Sequence, residues 1–187
     1  PFGYGLSYTT FSQEITASDV KLASHGENSV TVKVTNTGDV AGKRVVQLYM
    51  EAPYNQDSSL GLSGVGLEKP QVELMGFGKT GELAPGESEE VTIAFSTDAL
   101  ATFDEFGQGC YVLESGEYIF HVSPNAHGWA DEEEYGVDYD SVSVTLASSL
   151  IYNEDGEGAR VMTQNGVTNT EGIVATNAMN DITAGDG

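Results

Sequence analysis

Gly78-Lys79-Thr80 carries the residue types that end a phosphate-binding loop, in which backbone N–H groups and a lysine cradle phosphate. That pattern needs a glycine five positions before Gly78, where Glu73 stands, and a helix after it, which Gly81-Glu82-Leu83-Ala84-Pro85 does not supply. Nucleotide binding fails on both counts. Asn153, Asp155, Glu157 and Gly158 imitate a calcium loop, with oxygen ligands at alternate positions and glycine at the sixth. Asn153 stands where the first position requires Asp and Gln164 where the twelfth requires Glu, so an acidic linker is the better reading. His25, His121 and His127 lack metal-ligand spacing and Cys110 has no companion ligand, so neither a metal nor a cofactor is expected. His25 falls in a turn. His121 is out of phase with Phe120 and Val122, which makes it a solvated or locally hydrogen-bonded side chain.

The chain holds 29 acidic residues. Two carboxyl groups about 5–10 Å apart are the apparatus for cleaving a glycosidic bond, but a chain this acidic offers such pairs by chance. None is marked by its neighbours as buried, and no catalytic residue is assigned. Tyr54, Trp129, Tyr135 and Tyr139 lie in two irregular stretches, where an aromatic ring either stacks on a sugar or closes the end of the fold. They form the candidate substrate-binding set, with both readings open.

The elements that must position these residues read as strands. Phe11, Gln13, Ile15 and Ala17 alternate, with a continuation through Val20 and Leu22 after a break at Ser18-Asp19. Val30, Val32 and Val34 alternate with Thr31, Lys33 and Thr35, as in a strand with one buried face. A turn-rich stretch from Asn36 to Gly42 leads to Val45–Met50. A long aperiodic loop from Tyr54 to Pro70 follows, of a length that is uncommon unless functional. Val72–Phe77, then a turn at Leu83–Glu87, and Val91, Ile93 and Phe95 continue the pattern, and Asp98–Phe103 suits a single helical turn. Glu114-Ser115-Gly116-Glu117 is a hairpin signal between Cys110–Leu113 and Tyr118–Val122. An acidic insertion from Asn125 to Asp140 precedes a last strand, Val142–Leu146. Short alternating strands separated by turns predict an all-β antiparallel sandwich. Beyond Ile151 the chain has too few apolar residues to offset its ordering entropy, which predicts a linker or an arm.

At 187 residues the chain accommodates one domain with a tail. Its net charge of -22 repels nucleic acid phosphates and anionic lipid head groups, so neither is an expected partner. No Lys or Arg occurs between Lys79 and Arg160; this stretch is a solvated acidic face or a match for a basic neighbour. Cys110 is the only cysteine, which excludes an internal disulfide, makes a buried thiol the default and fits a reducing compartment such as bacterial cytoplasm. The opening on Pro1 rather than Met points to a fragment.

The first eleven residues, Pro1-Phe2-Gly3-Tyr4-Gly5-Leu6-Ser7-Tyr8-Thr9-Thr10-Phe11, combine aromatics and glycines in a way that suits a packed, non-repetitive lead-in. This stretch resembles the signature that opens the fibronectin type III-like domain of family-three glycoside hydrolases. Further blocks follow in the family's order: Val34-Thr35-Asn36-Thr37-Gly38 with Ala41-Gly42 and Val45–Tyr49, which looks like the family's first hairpin region; Glu73–Phe77; Leu83–Glu87; Val91–Phe95; and Gly116-Glu117-Tyr118.

The resemblance covers Pro1 to Val122 and implies an immunoglobulin or fibronectin type III-like sandwich of about seven strands with an irregular C-terminal tail. It divides the chain into a lead-in at 1–10, the sandwich at 11–149 and a linker or arm at 150–187. The family's catalytic carboxylates belong to a barrel and an α/β sandwich, neither of which this chain contains. The resemblance therefore implies a non-catalytic accessory domain that braces the catalytic domains of a β-glucosidase-like enzyme and lends a loop near the substrate entrance. Its partners would be those domains and carbohydrate, with Phe2, Tyr4 and Tyr8 packing on the sandwich or between domains. Ile151–Gly156, Ala175–Asp181 and Gly185-Asp186 resemble the connector of members in which the barrel follows this domain. The alternative is an independent carbohydrate-binding module built on the loop aromatics.

Overall fold

The computed structural model describes residues 2–23, 26–54, 60, 66–104, 108, 110–127, 140–152, 162–164 and 167–169. Two antiparallel sheets face each other. β1 (Phe11–Asp19), β2 (Glu27–Asn36) and β5 (Ser88–Ser96) form one, in the order β1-β2-β5. β3 (Val45–Glu51), β4 (Glu73–Lys79), β8 (Gly116–Ser123) and β9 (Asp140–Leu146) form the other, in the order β4-β3-β8-β9. A small third sheet, β10-β7-β6, joins Leu150–Tyr152, Tyr111–Leu113 and Thr102–Phe103. The two main sheets supply the seven strands of the expected all-β sandwich.

The core follows from the alternation. Val30, Val32 and Val34 of β2 and Val91, Ile93 and Phe95 of β5 point inward to meet Val46, Leu48 and Met50 of β3 and Tyr118, Phe120 and Val122 of β8. Close approach of the sheets is set by Gly78 on β4, where a Cβ would lie 2.4 Å from Val91 Cγ1. At the other side of the sandwich the Asp140 carboxylate of β9 accepts a 2.7 Å hydrogen bond from the Ile15 N–H, beside the irregularity of β1 between Ile15 and Ala17.

Several expectations are corrected. Val20 and Leu22 are not strand; β1 runs unbroken through Ser18-Asp19 and ends there. The stretch after Asn36 does not make a hairpin, because β2 and β3 lie in opposite sheets and the connection crosses the sandwich. The Glu114–Glu117 signal likewise joins strands of different sheets: β7 pairs with β6 and β10, whereas β8 pairs with β3 and β9. Gly116, at φ 138, turns the chain there, and the Tyr118 hydroxyl donates to the Glu114 carbonyl at 2.8 Å, the tyrosine corner of sandwich folds. The single helical turn is a 3-10 turn at Thr97–Leu100, capped by the Ser96 side chain. β10 pairs with β7, and Tyr152 lies in the core. Within the stretch read as linker, β11 (Met162–Gln164) pairs with β12 (Val167–Asn169).

Candidate functional site

β3 and β8 are the central strands of the four-stranded sheet, and both of their faces are buried. On the outer face Gln47 and Tyr49 of β3 lie opposite Ser123 and His121 of β8, and all four are buried. The Gln47 amide donates to the Gly3 carbonyl at 3.2 Å and to the Pro124 carbonyl at 2.9 Å, while its oxygen accepts from the Tyr49 hydroxyl at 2.8 Å. The Ala126 N–H donates to the Phe2 carbonyl at 3.0 Å. The backbone of the lead-in thus lies over this sheet as an added layer. Gly3 makes that possible, because its φ is 80 and a Cβ there would lie 2.1 Å from Gln47 Oε1. Further along, Thr9 Oγ1 donates to Asn36 Oδ1 at 2.8 Å and the Thr37 N–H donates to the Thr10 carbonyl, so the lead-in ends against β2 of the opposite sheet.

The side chains of this pinned segment project outward. Phe2 is 68% exposed, Tyr4 58%, Leu6 92% and Tyr8 100%, and Phe77, which pairs with Gln47 from β4, is 71% exposed. Phe2, Tyr4 and Tyr8 therefore do not bury themselves on the sandwich.

His121, expected to be solvated or locally hydrogen-bonded, is buried, with Nε2 2.6 Å from Glu51 Oε1. Burial holds its pKa below the ordinary histidine value, and the Glu51 carboxylate works in the opposite direction. Burial also pushes the Tyr49 phenol up. Cys110 is partly buried against Leu60, Leu67 and Val112, and its thiol is pushed up by that burial and then by Asp104, which fits a packing role.

Of the proposed sugar-contacting aromatics, Tyr54 is 49% exposed at the start of the long loop, and its hydroxyl donates to Glu68 Oε1 at 2.9 Å. That bond is the main cause of the phenol's raised pKa. Trp129, Tyr135 and Tyr139 lie outside the described residues, as do His25 and the calcium-like stretch 153–158. Gly78-Lys79-Thr80 closes β4, with Thr80 buried and its hydroxyl accepting from the Arg44 N–H at 2.9 Å. Among the described residues no group of His, Cys, Asp and Glu is placed to hold a metal, and no helix is long and apolar enough to cross a membrane.

Sequence reasoning missed Gln47 beneath the lead-in, the exposed Leu6 and Phe77, and the buried pair Lys69 and Glu114. The one available signal was that Gln47 and Tyr49 interrupt a run that is apolar on both sides of the strand, the mark of a strand covered on both faces.

Residues 44–126 match the family model described as the fibronectin type III-like domain. The chain is 42% identical over 139 residues to β-glucosidase A of Butyrivibrio fibrisolvens, which covers 65% of this chain and 15% of that protein. Its fold matches the crystal structure of a β-glucosidase from Paenibacillus barengoltzii with a TM-score of 0.64 at 35% identity, over 81% of this chain and 15% of that one. This chain carries a fibronectin type III-like domain of the kind found in family-three glycoside hydrolases. The domain is also 37% identical over 167 residues to an exo-α-(1→6)-L-arabinopyranosidase of Bifidobacterium breve, across 87% of this chain and 20% of that protein. It spans no more than a fifth of the relatives it matches, so most of the length of those proteins lies outside the shared domain.

Proposed function

We propose that this fibronectin type III-like domain is a non-catalytic brace for the catalytic domains of a longer β-glucosidase-like enzyme that hydrolyses O-glycosyl bonds. One observation carries the reading: a lead-in whose backbone is fixed to the sheet presents Phe2, Tyr4, Leu6 and Tyr8 outward, where an apolar surface asks for a cover. The cover is the domain that precedes this one in the same polypeptide. That similar domains occur in proteins named for two different sugars supports a role in architecture rather than in choosing the sugar. The connector-like residues from Ile151 to Asp186 support an order in which the barrel follows.

The test is replacement of Phe2, Tyr4 and Tyr8 together by serine in the longer enzyme. A lower melting temperature with an unchanged KM is expected, and a raised KM at an unchanged melting temperature would turn the lead-in into a binding element. Hydrolysis of nitrophenyl glucoside by the 187-residue chain alone would overturn the non-catalytic assignment. A second reading, sugar contact by the long loop, is favoured by the exposed Tyr54 ring beside the Glu68 carboxylate.

A further inference from the structure

The base of the long loop holds an arrangement that a brace does not require. Lys69 and Glu114 form an ion pair at 2.5 Å with their side chains 5% and 1% exposed. The Lys69 ammonium also donates to the Pro53 carbonyl at 2.7 Å. Pro53 and Lys69 are the two feet of the loop, so one ammonium ties both feet together and fastens them to Glu114. Glu114 sits at the tyrosine corner, where its carbonyl accepts from Tyr118 and the neighbouring Ser115 N–H donates to the Ser149 hydroxyl at 2.8 Å. Leu60 and Leu67 add two apolar pegs, packed on Val112.

A buried ion pair is a poor source of stability, because desolvation of both charges offsets their attraction and an apolar pair of similar volume does as well or better. Glu114 makes the arrangement costlier still, since its Oε1 is buried without a hydrogen-bond partner among the described residues. What such a pair supplies is a fixed position. The residues next to its tethers in the chain, Tyr54 after Pro53 and Glu68 before Lys69, are exposed and joined through the Tyr54 hydroxyl, and these are the groups it fixes. An aromatic face next to a carboxylate acceptor is suited to a pyranose, whose C–H face stacks on the ring while a hydroxyl donates to the charged oxygen.

We propose that Lys69 and Glu114 are positioning residues that hold Tyr54 and Glu68 as a preorganised contact for a pyranose at the mouth of the neighbouring catalytic domain. This rests on the accessory role proposed above. The test measures kcat, KM and melting temperature of the longer enzyme on cellobiose, which carries a second pyranose beyond the one being cleaved, for Tyr54→Ala, Glu68→Gln and Lys69→Met. Loss of one charge-assisted contact predicts a KM raised roughly tenfold with kcat nearly unchanged, in Tyr54→Ala and Lys69→Met alike. Because Lys69→Met strands the Glu114 charge and endangers folding, the double variant Lys69→Met/Glu114→Leu removes both charges and must show the same rise in KM while keeping its melting temperature. An unchanged KM in Tyr54→Ala, or a melting temperature that falls in Lys69→Met without any change in KM, overturns the proposal and leaves the brace intact. A longer enzyme without glycosidase activity overturns both.

Discussion

On the three-stranded sheet the outer face is written in Thr, Ser, Lys and Glu. Thr31 bonds Thr92 across β2 and β5 at 2.9 Å, Thr35 bonds Ser88 at 2.8 Å, and Thr16 donates to Glu90 at 2.9 Å. Polar groups there pair with each other in contact with water. On the four-stranded sheet the order is inverted: Gln47, Tyr49, His121 and Ser123 are buried, and the large apolar side chains Phe2, Tyr4, Leu6, Tyr8 and Phe77 stand in the open. The first face is finished. The second is covered once, by the lead-in, whose outward aromatics are the surface that the proposed brace would present to its neighbour.

The contrast breaks most readily at Gln47. Gln47→Leu leaves the Gly3 and Pro124 carbonyls and the Tyr49 hydroxyl without their partner, and about 2–4 kcal/mol should be lost in urea unfolding of the chain. A loss close to zero would mean that the lead-in is not held through Gln47. Gly3→Ala forces a left-handed backbone onto a residue with a Cβ and pushes that atom into Gln47, for an expected cost of about 1–3 kcal/mol. Faster hydrogen exchange of the Ala126 amide, whose acceptor is Phe2, should accompany it.

The third effect depends on pH. Burial lowers the folded pKa of His121, so the unfolded chain binds the proton more readily, and the stabilisation is complete above the unfolded value of about 6.5 and is lost as pH falls toward the folded pKa. The urea midpoint of the chain should therefore drop on acidification below about pH 6.5 more steeply than that of His121→Gln; parallel curves would remove His121 from the account. The smallest effect belongs to the finished face, where Thr31→Ala should stay within about 0.5 kcal/mol in the same unfolding assay.

The alternation of Val30, Val32 and Val34, and of Val91, Ile93 and Phe95, made the inner faces legible because a period of two sorts side chains without knowledge of the partner. Connections were harder. The glycine-rich turns after Asn36 and at Gly116 show that the chain changes direction, but the same residue types serve a hairpin and a crossing to the other sheet. His121 is locally hydrogen-bonded, to Glu51, as one of its two expected readings had it, but its burial was not legible: its phase places it opposite the core, and nothing local reveals that the far face is covered too. The lead-in was readable by its aromatics, yet its anchor, Gln47, lies far away in sequence. The Lys69–Glu114 pair was invisible, since one acid among 29 carries no mark of being buried.

Gly78 on β4 and Asp140 on β9 lie at opposite edges of the four-stranded sheet, and each brings that edge against an edge of the other sheet, β4 onto β5 and β9 onto β1. An open strand edge is a template on which another chain can polymerise. Here both edges lie against the other sheet, and at one of them a carboxylate occupies the Ile15 N–H, a group an incoming strand would use. The sandwich thus turns both edges of its larger sheet toward its own second sheet rather than toward a strand from another chain.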